Sequence, residues 1–195
     1  GVVPVENSSE GVINTTLNCL ADSNKINIVG EIYINIDHQL AAGSKFNIND
    51  AFAIASHPQA LGQCSKWIER NIGNIKRLEM PSSAVAAKYA KDNKNILCIV
   101  NSMAVKNYKL KLIKKNIQDY SDNKTRFIVI GKNKVEKTGK DKTSLLIQTP
   151  NKPGSLMSVL KPFDKGKINL SKIETRPSRG NINSHDFFID CEGHI

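Results

Sequence analysis

Four short polar clusters carry the side chains best suited to chemistry: Glu6-Asn7-Ser8, Ser56-His57, Ser82-Ser83 and Asn101-Ser102. Each follows an apolar, strand-like run and precedes a helical pattern. A helix start offers unpaired N–H groups and the positive end of the macrodipole, which suits carboxylates or phosphates. Taken singly, each cluster also reads as an ordinary N-cap, because Ser and Asn are preferred there. Four of them on one sheet edge predict an anion-binding crevice. Metal chemistry fits less well. Cys19, Cys64, Cys98 and Cys191 are far apart with no C-x-x-C pair, and His38, His57, His185 and His194 lack metal-ligand spacing. The thiols fall in or beside apolar runs, so buried free cysteines in a reducing cytoplasm are expected.

The elements that must hold these clusters alternate strand and helix. Val2 to Val5 reads as a short strand, followed by the first cluster and a helical pattern through Ile13, Leu17 and Leu20. Ile26 to Ile36 is rich in β-branched residues and alternates at period two. Phe52 to Ala55 predicts a buried strand running into a helix with Leu61, Cys64, Ile68 and Ile72. His57 caps that helix and Pro58 stands in its first turn. Ile75 to Leu78 predicts a strand, Ser82 opens an Ala-rich helix to about Lys91, and Ile96 to Val100 is a strand before a short helix to about Tyr108. Thr125 to Ile130 is a further strand. This alternation predicts an α/β open sheet with ligands at the C-terminal ends of its strands.

Gly131 to Lys142 is Lys-rich, nearly without apolar residues, and reads as a linker. Beyond it, Ser144 to Gln148 predicts a strand. Pro153-Gly154-Ser155-Leu156 opens a helix that should bury Leu156, Val159, Leu160 and Phe163, and that Pro162 should kink or end. Ile168 to Ile173 and Phe187 to Cys191 predict two more strands. Strand–helix–strand–strand is the beginning of a ferredoxin-like βαββαβ unit.

The 195 residues carry 28 Lys+Arg against 18 Asp+Glu, a formal charge of +10. The basic stretches Lys106 to Lys115 and Lys132 to Lys142 are not interleaved with aromatics, so a solvated lysine face fits better than a nucleic-acid surface. The positive field would still gather a small dianion. No run approaches the ~20 apolar residues of a membrane span. The chain opens on Gly1-Val2-Val3-Pro4-Val5 as if inside a strand and stops without a cap at Glu192-Gly193-His194-Ile195. It therefore reads as a piece of a longer protein, and the piece alone is expected to lack activity.

Several stretches together resemble the prephenate dehydratase family: Val3-Pro4-Val5-Glu6-Asn7-Ser8 with Gly11, His38-Gln39-Leu40, Ser56-His57-Pro58-Gln59-Ala60-Leu61 through Gln63-Cys64, Ser82-Ser83-Ala84, and Asn123-Lys124-Thr125-Arg126-Phe127. Pro153-Gly154-Ser155-Leu156 and Glu174-Thr175-Arg176-Pro177 resemble the two effector motifs of an ACT regulatory domain. The resemblance implies a two-lobed catalytic domain like a type-II periplasmic binding protein, lacking its N-terminal part, over residues 1–131. A linker over 132–142 and a partial ACT domain over 143–195 would follow.

It also implies an activity: a carbon–oxygen lyase that removes water and carbon dioxide from prephenate to give phenylpyruvate in L-phenylalanine biosynthesis, in the cytoplasm, without metal or organic cofactor. Two carboxylates must be held and the departing ring hydroxyl protonated. Thr125 and Arg126 are the implied catalytic residues, the hydroxyl donating to the leaving group and the guanidinium gripping a carboxylate. Glu6, Asn7, Ser8, Ser82, Ser83 and Phe127 would bind substrate. His38, Ser56, His57 and Gln59 would line the cleft. Gly154, Ser155, Leu156, Met157, Glu174, Thr175, Arg176 and Pro177 would bind L-phenylalanine as allosteric effector between ACT units of a homodimer or homotetramer. Ser155 replaces the family's usual Ala and Thr175 its usual Ser, changes that bear on effector affinity. Arogenate dehydratase shares these motifs. A bifunctional chorismate mutase/prephenate dehydratase would contain them too, and an amino-acid-binding module on the same lobes is the non-enzymatic alternative.

Overall fold

The structure, a computed structural model, describes residues 1–9, 11–23, 25–47, 50–178 and 181–194. In chain order its elements are β1 (Val2–Asn7), β2 (Gly11–Val12), α1 (Asn14–Ala21), β3 (Asn27–Asn35), β4 (Gln39–Ala42), β5 (Ala53–Ser56), α2 (Pro58–Gln63), α3 (Ser65–Asn71) and β6 (Lys76–Glu79). Then follow α4 (Ser83–Asp92), β7 (Ile96–Val100), α5 (Ser102–Asn107), β8 (Lys111–Lys114), β9 (Lys124–Gly131), β10 (Lys142–Pro150), α6 (Ser155–Lys165), β11 (Leu170–Ser178) and β12 (Asn181–Glu192). They form three sheets, ordered β2-β1-β9-β3, β6-β5-β7-β4-β8 and β10-β12-β11.

Two compact units divide the chain. One comprises residues 4–13 and 32–127. Its five-stranded sheet has β5 parallel to both β6 and β7, while β4 runs antiparallel to β7 and β8. Every residue of β5 and β7 is buried, as parallel strands covered on both faces require. On one face Leu40, Ile54, Leu97 and Ile99 pack with Leu61, Cys64 and Ile68 from α2 and α3. On the other, Ala41, Ala53, Ala55 and Cys98 meet Ala86, Ala87 and Ala90 of α4. Small side chains on both sides let that helix lie close to the strands. The approach is tight enough that a Cβ on Gly43 would stand 2.8 Å from the Ala90 carbonyl oxygen.

The other unit comprises residues 1–3, 14–31 and 128–195. Its C-terminal part is β10, α6, β11 and β12, with β12 antiparallel to each of its flanking strands. Between β9 and β10 lies the expected Lys-rich segment without helix or strand, closed by a turn in which Asp141 accepts from Thr138 and Gly139. Lys142 pairs with Glu31 at 2.9 Å. Among the described residues no helix is long and apolar enough to cross a membrane.

Several expectations are corrected. The first helix starts at Asn14, not directly after the Glu6-Asn7-Ser8 cluster, because Gly11 at φ +83° turns the chain so that Gly11–Val12 pairs back on β1. The helix after Pro58 is two helices, broken at Cys64. Strands β4 and β8 were not read from the sequence. Helix α6 continues past Pro162 to Lys165 and buries none of its residues. Leu156 is exposed, and Val159, Leu160 and Phe163 are only half-buried, because the helix packs mainly against the edge strand β10.

Candidate functional site

Strands β5, β6 and β7 run parallel, so their C-terminal ends share one sheet edge, and α2, α4 and α5 begin there. Each helix is capped by a residue of a predicted cluster. His57 Nδ1 accepts from Gln59 N at 3.3 Å, Ser82 Oγ from Val85 N at 3.2 Å, and Asn101 Oδ1 from Ala104 N at 2.8 Å. Three of the four clusters thus share one edge. The fourth does not: Glu6, Asn7 and Ser8 end in and just after β1, in the sheet that contains β9. Asn7 and Ser8 are therefore not at a helix start. The antiparallel strand β4 begins opposite the end of β7, with Gln39 paired to Val100, and this carries His38 to the same edge as His57 and Ser82.

The segment 116–123 ties that edge to β9. Ile117 N donates to His38 O at 2.9 Å, and His38 N donates to Gln118 Oε1 at 3.0 Å. Asp119 N donates to Gln63 O, while its carboxylate accepts from Lys66 N and Trp67 N and so caps α3 from fifty residues away in sequence. Gln63 Oε1 lies 2.7 Å from His38 Nε2 and accepts from Asn123 Nδ2 at 3.1 Å. Ser8 completes the connection. Its N donates to Lys124 O, its Oγ accepts from Lys124 N at 2.8 Å and donates to Asp122 O at 3.1 Å.

Thr125 and Asn7 sit face to face and buried, with Asn7 Nδ2 donating to Thr125 Oγ1 at 2.8 Å. Asn7 Oδ1 accepts from Ser9 N at 2.9 Å, which fixes the amide's orientation. The Thr125 oxygen is thus occupied as an acceptor, and its own proton is available to another group. Arg126 is also buried, but strand alternation sends its side chain to the opposite face from Thr125. Glu6 stands to Asn7 as Arg126 stands to Thr125, so the carboxylate and guanidinium share the far face of neighbouring strands. Phe127, half-buried, returns to Thr125's side.

Ser56 is fully buried and its hydroxyl is engaged by the Ile99 carbonyl at 2.6 Å, so it presents nothing to a ligand. Gln59 is exposed, and Ser83 is half-buried at the first position of α4. In the other unit, Gly154 caps α6 in the left-handed region at φ +83°, with Ser155 N bonded to Lys152 O. Ser155 is half-buried, whereas Leu156 and Met157 are exposed. Glu174, Thr175, Arg176 and Pro177 lie inside β11 and not at its end. Glu174 and Arg176 face the Phe188 and Asp186 side of β12, and Thr175 and Pro177 the other side. The Arg176 guanidinium stacks 4.4 Å over the Phe188 ring.

Burial pushes the thiols of Cys64 and Cys98 up to about 12, and that of Cys191 upward, whereas Cys19 is exposed, contrary to the expectation that all four are buried. Among the described residues no cluster of His, Cys, Asp or Glu could hold a metal ion. Gln63, Asn123 and Asp119, which join α2 to the segments before β4 and β9, were not among the predicted site residues, since nothing in their local sequence marks partners so distant.

The family model described as prephenate dehydratase matches residues 1–135. A bifunctional chorismate mutase/prephenate dehydratase from Stutzerimonas stutzeri is 43% identical over 194 residues, covering 100% of this chain and 53% of that protein. A prephenate dehydratase from Methanocaldococcus jannaschii is 37% identical over 197 residues, covering 100% of this chain and 71% of that protein. The solved structure of prephenate dehydratase from Arthrobacter aurescens in complex with L-Phe superposes with a TM-score of 0.86 at 31% identity, covering 99% of this chain and 65% of that one. The chain thus has the mixed α/β architecture of those structures, and it spans about half the length of the bifunctional relatives it matches. On the family match across most of its length and on these relatives, the chain belongs to the prephenate dehydratase family.

Proposed function

We propose that the protein containing this chain converts prephenate to phenylpyruvate, with Thr125 as the proton donor. The observation that carries this reading is the Asn7–Thr125 hydrogen bond, which makes Thr125 Oγ1 an acceptor on one side and leaves its hydroxyl proton for the substrate. In the reaction the ring carboxylate leaves as carbon dioxide, the electron pair of the broken C–C bond moves into the ring, and the C–O bond to the ring hydroxyl breaks. The departing oxygen takes a proton and leaves as water. Threonine is a weak acid, so its contribution lies in orientation and a preorganised field. The N-terminus of α4, with Ser82 and Ser83, supplies main-chain and hydroxyl donors for a substrate carboxylate. Arg126, beside Glu6 on the far face, supports β9 and contributes positive potential.

The same reading covers the whole architecture. Residues 1–131 form part of a two-lobed, periplasmic-binding-protein-like catalytic domain, 132–142 the linker, and 143–195 part of an ACT domain. L-phenylalanine, the ligand of the Arthrobacter aurescens relative, binds that domain and lowers activity in a cytoplasmic homodimer or homotetramer. The split β10-α6-β11 arrangement with β12 between the strands supports the ACT reading.

Phenylpyruvate formation by the full-length protein and by Thr125→Ala and Thr125→Ser tests the catalytic claim. Ala should lower kcat by about 10²- to 10⁴-fold, and Ser should keep most of it. Wild-type turnover by Thr125→Ala would sink the reading.

A further inference from the structure

We infer that Ser8 is a positioning residue, whose hydroxyl replaces a main-chain carbonyl at the end of β1 and so fixes the start of β9, next to Thr125. The inference rests on the dehydratase reading and gives Ser8 this role in place of substrate binding.

Neighbouring strands β1 and β9 run antiparallel, with Gly1 beside Ile130 and Ser8 beside Lys124. Facing residues of such a pair exchange two main-chain bonds. Gly1 and Ile130 do so, at 2.7 and 2.8 Å. At the other end only one of the two survives. Ser8 N donates to Lys124 O at 2.9 Å, but Lys124 N donates to Ser8 Oγ at 2.8 Å and not to the Ser8 carbonyl. The reason is local. Asn7 Oδ1 accepts from Ser9 N at 2.9 Å, an Asx turn that leads the chain out of the sheet after Asn7. The hydroxyl supplies the acceptor that the turning backbone no longer offers. Its one proton is committed as well, to Asp122 O at 3.1 Å, with Asn123 Oδ1 farther off at 3.5 Å. A substrate carboxylate needs donors, and Ser8 Oγ has none to spare.

The consequence falls on the next residue. Thr125 directly follows Lys124, and its partner Asn7 directly precedes Ser8. The Ser8–Lys124 link therefore closes the ladder immediately beyond the Asn7–Thr125 bond. On the other flank, Ile36 N donates to Asn123 O at 2.8 Å. The backbone entering β9 is thus pinned on both sides, on the β1 side by Ser8 N and Ser8 Oγ. Without the hydroxyl, Lys124 N and Asp122 O turn to water, since Ser8 itself is exposed, and the strand end gains slack. A displacement of about 1 Å in a group that must meet a leaving atom can cost about a hundredfold in rate.

The test uses the full-length protein with Ser8→Ala, Ser8→Cys, Ser8→Thr and Thr125→Ala, and measures kcat and KM for phenylpyruvate formation. Ser8→Ala removes acceptor and donor together. It should lower kcat about ten- to a hundredfold with KM within about twofold of wild type. Ser8→Cys keeps the shape with a much weaker acceptor and donor. It should fall in the same way, and it is the decisive variant where Ala fails to fold. Ser8→Thr keeps the hydroxyl, and the exposed position leaves room for its methyl group, so kcat should stay within about threefold of wild type. If Thr125→Ala kept full turnover, the dehydratase reading would fall and this inference with it. If Thr125→Ala is inactive, the positioning role alone is overturned by any of three results. These are wild-type kcat in Ser8→Ala or Ser8→Cys, a rise in KM with kcat unchanged, which would return Ser8 to substrate binding, or a fall in kcat in Ser8→Thr as deep as in Ser8→Ala.

Discussion

Asn7 and Thr125, on neighbouring strands and both buried, share a hydrogen bond of 2.8 Å in which the amide donates and the threonine oxygen accepts. The direction matters more than the contact. Because Asn7 Oδ1 already accepts from Ser9 N, the amide presents its NH₂ and nothing else to Thr125. Asn7→Asp keeps the shape but offers only acceptors, so the threonine proton would turn toward the carboxylate and away from substrate. Turnover should fall about a hundredfold in Asn7→Asp, with a smaller loss in Asn7→Ala. Steady-state phenylpyruvate formation by the full-length protein measures both. Equal activity of Asn7→Asp and wild type would show that the bond's polarity is irrelevant.

Gly43 follows β4 where α4 passes closest. A Cβ there would lie 2.8 Å from the Ala90 oxygen and 3.0 Å from the Lys91 oxygen, both main-chain atoms that cannot swing aside. Gly43→Ala should destabilise by about 1–3 kcal/mol. Denaturant unfolding checks it, and a midpoint unchanged from wild type would mean that the helix shifts freely.

The cysteines should divide by exposure. Burial raises Cys64 and Cys98 to about 12, so at neutral pH neither forms thiolate, and both are also sterically shielded. Cys191 is buried and shifted the same way, while Cys19 is exposed. Brief treatment of native protein with a maleimide, followed by peptide mapping, should find label on Cys19 and reach the other three only after denaturation. Rapid labelling of Cys98 in the native state would contradict the packing of α4 on its sheet.

Asp141 gives a pH dependence of defined sign. Hydrogen bonds from the Thr138 hydroxyl and the main-chain N–H groups of Thr138 and Gly139 hold its carboxyl below the ordinary carboxylate range, and His194 adds in the same direction. A depressed folded-state value means that the group favours the folded form above its unfolded value. That contribution disappears as pH falls through the lowered one. Asp141→Asn should therefore change stability at pH 7 and have progressively less effect on acidification below about pH 4. Thermal melts of both proteins across that range would show the curves converging. A constant offset down to the lowest pH would rule the mechanism out.

The parallel core was legible because its strands are continuous apolar runs: Ile96 to Val100 is buried at every position. The short strands β4 and β8 were not. Four residues are too few for a period to emerge, and in Lys111–Lys114 the flanking lysines mask it. The caps at Ser82 and Asn101 were readable from residue type, yet sequence could not show that Glu6-Asn7-Ser8 belongs to another sheet. The stripe of Leu156, Val159, Leu160 and Phe163 reported an apolar face correctly but not how little covers it. Gln63 was invisible as a hub, since its two partners lie 25 and 60 residues away.

The order of the four-stranded sheet bears on how a ribosome must deliver this protein. Strand β9 sits between β1 and β3, although it is synthesised after both and after the entire five-stranded sheet. Until it emerges, the inner edges of β1 and β3 have no neighbour. Assembly there waits on a contact more than a hundred residues long in sequence, such as Asn7 with Thr125, which places this sheet among the slow steps of maturation. A chain stalled during translation before Lys124 would expose two sticky strands, a natural client for a holding chaperone.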